Sequence, residues 1–320
     1  MNILIFSLVI NSLFLVRDPD EIFTAKDREP YIIEAEKVTL DETDEGRVSH
    51  LMGNVKITHG KTIITGDEGF AYENEQMAEV IGNVKIDDEG TIITSKIAKY
   101  FKEERMVVLV DTVELQDGKQ VLKADSLVYF KGKKVSHAYG GVILIDEEQN
   151  TEVTGDYGEY DFINKEGFIT RNPVLTLSEK DRKIIITGDT LRIKRKENFM
   201  SCTGNVKIRE DSIMARAGYL EYYSDSERIY LKEKPIIEQV GKSTLSGLLI
   251  EVFLKNREIV KTIATIDAKG NYSFSDGATN DVMGDTITIF FKDGKTDRIA
   301  VIGNARGLYK KEEEEEKKGE

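Results

Sequence analysis

Residues 62–87 read TIITGDEGFAYENEQMAEVIGNVKID, and this stretch decides the fold. Its first half opens on Ile64, Gly66 and Asp67 and continues through Phe70, Ala71 and Tyr72. Glu73, Asn74, Glu75 and Gln76 then read as a polar turn. In the second half Val80, Gly82, Val84 and Ile86 point one way, while Glu79, Asn83 and Lys85 point the other; Ile81 breaks the pattern. Alternation at period two marks a half-buried strand. The stretch is therefore two strands joined by a turn, with little room for a helix.

The same pattern recurs. An aliphatic residue is followed two positions later by Gly, Ala or Ser at Ile33/Ala35, Ile64/Gly66, Ile93/Ser95, Leu122/Ala124, Val153/Gly155, Ile186/Gly188, Ala215/Ala217, Leu245/Gly247 and Val282/Gly284. A unit of roughly 30 residues cannot bury its own apolar face, so the units must stack on one another. Nine units predict about 18 mainly antiparallel strands, an all-β fold and almost no helix. Divided between two layers at about 4.8 Å per strand, the body would be roughly 40–45 Å long. Its end strands would leave open edges that need capping or pairing with another chain.

Aligning the units exposes further columns. One position after the small residue come Glu36, Asp67, Lys96, Asp125, Asp156, Asp189, Gly218, Leu248 and Asp285. The inward set then changes parity, from Ile64 and Gly66 to Gly69 and Ala71. A one-residue parity change is what a β-bulge produces, and a small residue beside it lets the kinked backbone approach its neighbour. The second strand of each unit has its own signature: Gly53-Asn54-Val55, Gly82-Asn83-Val84 and Gly204-Asn205-Val206, with Asp111-Thr112-Val113, Gly140-Gly141-Val142 and Gly303-Asn304-Ala305 in phase. At Asn172-Pro173-Val174 and Lys234-Pro235-Ile236, Pro is read in the place of Asn. Proline has no ladder donor, so both sites are expected at an edge, a bulge or a break in pairing.

Composition narrows the function. A net charge of −13, with no basic stripe, argues against a nucleic-acid partner. Cys202 is the single cysteine, so no internal disulfide forms, and it reads as a small core residue. His50, His59 and His137 lack ligand-like spacing, and no nucleophile or phosphate-loop motif is present. Neither catalysis, cofactor nor metal is expected. The Asp column could suggest calcium, but one carboxylate per unit is too sparse, and hydrogen bonding at the bulge is the favoured reading. Residues 1–16 hold the apolar run Ile3 to Val16, which reads as a signal-peptide core or an uncleaved anchor; no clean cleavage site follows it. Residues 310–320 are a charge run read as a solvated, disordered tail.

The recurring pair of elements, Ile/Leu-x-Ala/Gly-Asp and then Gly-Asn-Val, resembles the LptA/OstA family of lipopolysaccharide-transport proteins, whose domain also occurs in LptC and at the N-terminus of LptD. The residues that carry it are Ile33 to Leu40, Ile64 to Ala71, Leu122 to Tyr129, Ile186 to Ile193 and Val282 to Ile289. It covers residues 31–309. The resemblance implies an elongated open β-jelly-roll with lipid A acyl chains held between two sheets, and a periplasmic location. It also implies end-to-end strand pairing with components of the Lpt ABC transporter, with an LptD-like outer-membrane protein, or head-to-tail in a homo-oligomer. An uncleaved segment 3–16 would anchor the chain to the inner membrane. On this reading the groove candidates are Val84, Tyr100, Val113, Leu127, Tyr129, Val142, Tyr160, Leu191, Ile193, Val206, Tyr222 and Ile250. The Tyr column could equally be ordinary core. A surface-exposed structural or adhesive repeat protein is the alternative; it would close its core fully, whereas a carrier would keep a slot.

Overall fold

A computed structural model describes residues 31–310, apart from 44–45, 89, 149, 180–181, 240, 256–257, 274–277 and 293–294. The apolar segment at residues 3–16 and the charged tail beyond Lys310 lie outside the described residues. Contacts divide the described residues into two compact units, one formed by residues 31–175 with Arg192–Lys196, the other by Thr176–Leu191 and residues 197–310.

The first unit begins with β1 (Tyr31–Glu34), β2 (Lys37–Thr43), β3 (Gly46–His59), β4 (Thr62–Tyr72) and β5 (Met77–Asp88). It continues through β6 (Thr91–Phe101), β7 (Met106–Asp117), β8 (Gln120–Phe130), β9 (Val135–Asp146), β10 (Thr151–Asp161) and β11 (Glu166–Thr170). The unit boundaries fall inside β12 (Val174–Glu179) and β14 (Thr190–Lys194), which flank β13 (Arg182–Thr187). The second unit contains β15 (Phe199–Glu210), β16 (Ile213–Tyr223), β17 (Arg228–Lys232), β18 (Ile236–Gln239) and β19 (Ser243–Ser246). It ends with β20 (Leu249–Lys255), β21 (Glu258–Ser273), β22 (Thr279–Lys292), β23 (Lys295–Ile302) and β24 (Arg306–Lys310). One 3-10 turn, Arg195–Glu197, is the only helical element among the described residues. The fold is nearly all-β and antiparallel, a jelly-roll ladder in which uncut strands such as β4 to β8 pair with their sequence neighbours, while the two halves of a cut run share one partner, as β1 and β2 share β3.

The described residues form 24 strands rather than about 18 because six extended runs are cut at their bend: β1/β2, β11/β12, β13/β14, β17/β18, β19/β20 and β23/β24. The bend has one recurring geometry. Two successive residues adopt positive φ at Gly53/Asn54, Gly82/Asn83, Asp111/Thr112, Gly140/Gly141, Arg171/Asn172, Gly204/Asn205, Glu233/Lys234, Ile266/Asp267 and Gly303/Asn304. Between β4 and β5 the register runs from Thr65 opposite Lys85 to Glu68 opposite Ile81, three steps against four. The extra residue therefore sits in the Gly-Asn strand, not in the carboxylate strand where the parity change is read. The carboxylate strand takes the short path round the corner, which is why its inward set shifts by one.

Two sequence assignments move. Pro173 and Pro235 occupy the column of Val55 and Val84 rather than that of Asn, because Arg171/Asn172 and Glu233/Lys234 supply the left-handed pair. Both prolines are buried at breaks between strands, as a missing N–H requires. The Ile266/Asp267 corner carries no Gly-Asn signature and was invisible in the sequence.

Turns lock successive repeats of the first unit in register. The first residue of each polar turn donates its N–H to the last residue of the turn before: Lys102 to Gln76, Lys131 to Arg105, Phe162 to Lys134 and Arg195 to Lys165, at 2.8–3.0 Å. In the first unit Val55, Val84, Val113 and Val142 are each 1% exposed, beside buried Ile86, Ile93 and Leu115. Cys202, Leu220, Leu231, Ile250 and Ile287 form the centre of the second unit. Each such side chain contributes about 1.5–3 kcal/mol by burial.

Candidate functional site

Three apolar rows cross the first unit at right angles to its strands. One runs from Ile33 through Ile57, Ile64, Ile86, Ile93, Leu115, Leu122 and Leu144 to Val153. Beyond the bend, a second runs from Val38 through Leu51, Gly69, Val80, Ala98, Leu109 and Leu127. The third joins Leu40, Ser49, Ala71, Ala78, Tyr100, Val107, Tyr129, Ser136 and Tyr160. Antiparallel register dictates this: positions equivalent in the repeat face one another across every strand pair.

The third row changes along its length. Leu40 is 60% exposed, Ala71 is exposed, Ala78 and Tyr100 are half-buried, and Val107 and Tyr129 are buried. Tyr129 and Tyr160 are closed over by Phe162, whose ring meets them edge-on at 6.0 and 4.8 Å. The row thus opens toward β2. Among the described residues β1 and β2 pair only with β3, so their outer backbone edge is unpaired, and Ile33, Val38 and Leu40 lie exposed on it.

A polar seam borders the first row. Thr62 Oγ1 donates to Asp88 Oδ1 at 2.7 Å and Gln120 Nε2 to Asp146 Oδ2 at 2.9 Å, all of these residues buried or nearly so. Arg195 leans toward Tyr160 and Asp146; burial holds its pKa below the usual guanidinium value. On the outward face His137, Tyr139, Tyr157 and Phe168 cluster, with Arg171 over Tyr157 and Arg192 over Phe168. Burial and the Glu159 carboxylate, 3.1 Å away, push the Tyr157 phenol up to about 12. No sequence column flagged Arg195 or this cluster, because cross-strand neighbours meet only once register is known.

The bends give the carboxylate column a concrete role. Asn83 Nδ2 donates to Asp67 at 2.9 Å, Asn205 to Asp189 at 3.2 Å and Asn304 to Asp285 at 3.1 Å. The Asp189 N–H also reaches the carbonyls of Thr203 and Gly204. These carboxylates are engaged with the bulge, and no group of three potential metal ligands occurs among the described residues.

A family model described as OstA-like protein matches residues 28–187. The chain belongs to the OstA-like family. The crystal structure of LptH from Pseudomonas aeruginosa, titled as the LptA-homologous periplasmic component of a lipopolysaccharide transport device, is similar at 19% identity, covering 36% of this chain and 86% of that one with a TM-score of 0.32. No curated protein sequence matches the chain. No helix among the described residues is long and apolar enough to cross a membrane.

In this OstA-like chain the groove candidates fall in two sets. Val84, Tyr100, Val113, Leu127, Tyr129, Val142, Tyr160 and Ile193 belong to the first unit; Leu191, Val206, Tyr222 and Ile250 belong to the second. All face an interior. Tyr100 alone is half-buried, and the others are at most 8% exposed. Cys202 is fully buried, its thiol donating to the Thr187 carbonyl at 3.6 Å, and burial pushes its pKa up to about 12.

Proposed function

We propose that this chain is a periplasmic carrier of lipopolysaccharide, holding lipid A acyl chains against its apolar rows and passing them toward the outer membrane without a reaction of its own. Membership of the OstA-like family supports the reading. The observation that carries it is the third row, whose apolar positions become progressively exposed from Tyr129 through Tyr100 to Leu40 and end on a strand edge that is unpaired among the described residues. Acyl chains can enter such a row from its open end, and an edge strand can continue it into another chain by β-augmentation. The partners proposed are the Lpt ABC transporter components, an LptD-like outer-membrane protein and further copies of this chain. Residues 3–16 would serve as its export signal or inner-membrane anchor.

The burial of eleven of the twelve groove candidates favours a second reading, a structural or adhesive repeat protein with a closed core. A photo-crosslinking residue in place of Tyr100, with controls at Tyr129 and at outward-facing Lys85, separates the two. A carrier gives lipopolysaccharide adducts at position 100 and none at 85. Adducts at neither interior position exclude the carrier.

A further inference from the structure

The second unit contains a pocket of about 250 Å³. Ser243, Tyr272 and Asn280 line it and lie in one register row, since Tyr272 of β21 faces Ser243 of β19 on one side and Asn280 of β22 on the other. Gln239, Ser273, Thr296 and Ile299 complete the wall, and Lys242 stands exposed at the rim. The Tyr272 side chain is 8% exposed, yet its hydroxyl has no hydrogen-bond partner; neither has the buried Thr296 hydroxyl. Its ring lies over Gly270, where an added Cβ would come 2.8 Å from the hydroxyl oxygen. Native chains rarely bury a hydroxyl with nothing to bond, and the exceptions point to a role. A smaller apolar cleft shares Ser243 and Tyr272 and is lined by Ile213, Leu245, Ile289 and Phe291.

We propose that this pocket binds the phosphate-bearing head of an amphiphile, with the adjoining cleft taking the first part of its apolar stem. Every polar side chain that lines it carries at least one donor and none is a carboxylate; the amide oxygens of Gln239 and Asn280 are the only groups there that solely accept, a balance that suits an acceptor-rich anion. At about 30 Å³ per water, the space corresponds to roughly eight waters, enough for a phosphate and several further heavy atoms. The pocket rests on the carrier reading only in expecting a lipid to supply the phosphate.

Isothermal titration of the full chain with dodecyl phosphate below its micellar concentration tests this. Inorganic phosphate and dodecyl maltoside are the comparison probes. Dodecyl phosphate is expected to bind saturably, inorganic phosphate at least about tenfold more weakly, and the maltoside not to compete. Tyr272→Phe and Lys242→Gln should each weaken dodecyl phosphate about tenfold, the loss of one hydrogen bond to a charged group. Tyr272→Phe should also raise the unfolding midpoint, since it deletes a buried hydroxyl without a partner. Unchanged affinity in both variants, or equal binding of the maltoside, overturns the site. Inorganic phosphate binding as tightly as dodecyl phosphate overturns the lipid source. Failure of crosslinking at both Tyr100 and Tyr129 with these results intact would remove the carrier reading and leave the pocket standing.

Discussion

Lys96 and Asp111 form the charge-inverted counterpart of the contact between Asp67 and Asn83. Lys96 Nζ donates to Asp111 Oδ2 at 2.6 Å, in the column where other units set a carboxylate against the left-handed pair. Asp111 and Thr112, at φ of 66° and 51°, occupy the places of Gly and Asn. The backbone corner is thus constant while the side chains that hold it are exchanged. A similar exchange occurs at Gly218, where Glu233 reaches across from the other strand.

This inversion predicts a compensating set of substitutions. Lys96→Asp alone leaves two carboxylates facing each other and should lower the thermal unfolding midpoint. Adding Asp111→Gly and Thr112→Asn rebuilds the common corner and should return the midpoint to within about 2 °C. The hydrogen bond from Lys96 holds the Asp111 carboxyl below its ordinary value of 3.8. Its contribution is therefore present above pH 3.8 and lost as pH falls through the lower folded value. Lys96→Gln should remove that part of the acid dependence, which acid titrations followed by circular dichroism would reveal.

Gly188 and Cys202 should prove coupled. A Cβ at Gly188 would run into the Cys202 sulfur, so Gly188→Ala should cost about 1–3 kcal/mol in urea unfolding. Cys202→Ala in the same chain clears the space. The double variant should recover at least about 0.5 kcal/mol relative to the sum of the single changes, because contacting sites are not additive.

The Cys202 thiol should be inert in the folded chain. With its pKa raised from 9.0 to about 12 by burial, it should resist alkylation at pH 8 and react only on unfolding. The sign of the linkage follows: the unfolded thiol ionises first, so stability is full below pH 9 and declines as pH rises toward 12. Cys202→Ser should flatten that alkaline loss. An unchanged alkaline limb would assign it instead to the tyrosines, of which Tyr157 and Tyr272 are also raised to about 12.

The exposed edge should matter for association and not for folding. Val38 and Leu40 are 58% and 60% exposed, so Val38→Lys with Leu40→Lys should change unfolding free energy by no more than about 0.5 kcal/mol per site. The same pair should abolish concentration-dependent end-to-end assembly in sedimentation velocity. Assembly that survives both charges would mean the chain does not pair through this edge.

The strand content, the two-strand unit and the bend were legible in the chain itself, because period-two alternation and the Gly-Asn-Val signature are local consequences of backbone geometry. Ile64, Gly66, Val84 and Ile86 announce their inward direction without reference to any neighbour. The corner at Ile266/Asp267 was not legible, since neither residue is Gly or Asn, although the Leu248 N–H meets the Thr265 and Ile266 carbonyls there as the Asp189 N–H meets those of Thr203 and Gly204. Nor could the sequence say which inward residues meet solvent. Tyr100 and Tyr129 occupy the same column, yet one is half-buried and the other closed under Phe162, a turn residue from a later unit. The alignment of Ser243, Tyr272 and Asn280 likewise exists only across three strands. Periodicity determines which way a side chain points; only register and the closing of neighbours decide what it meets there.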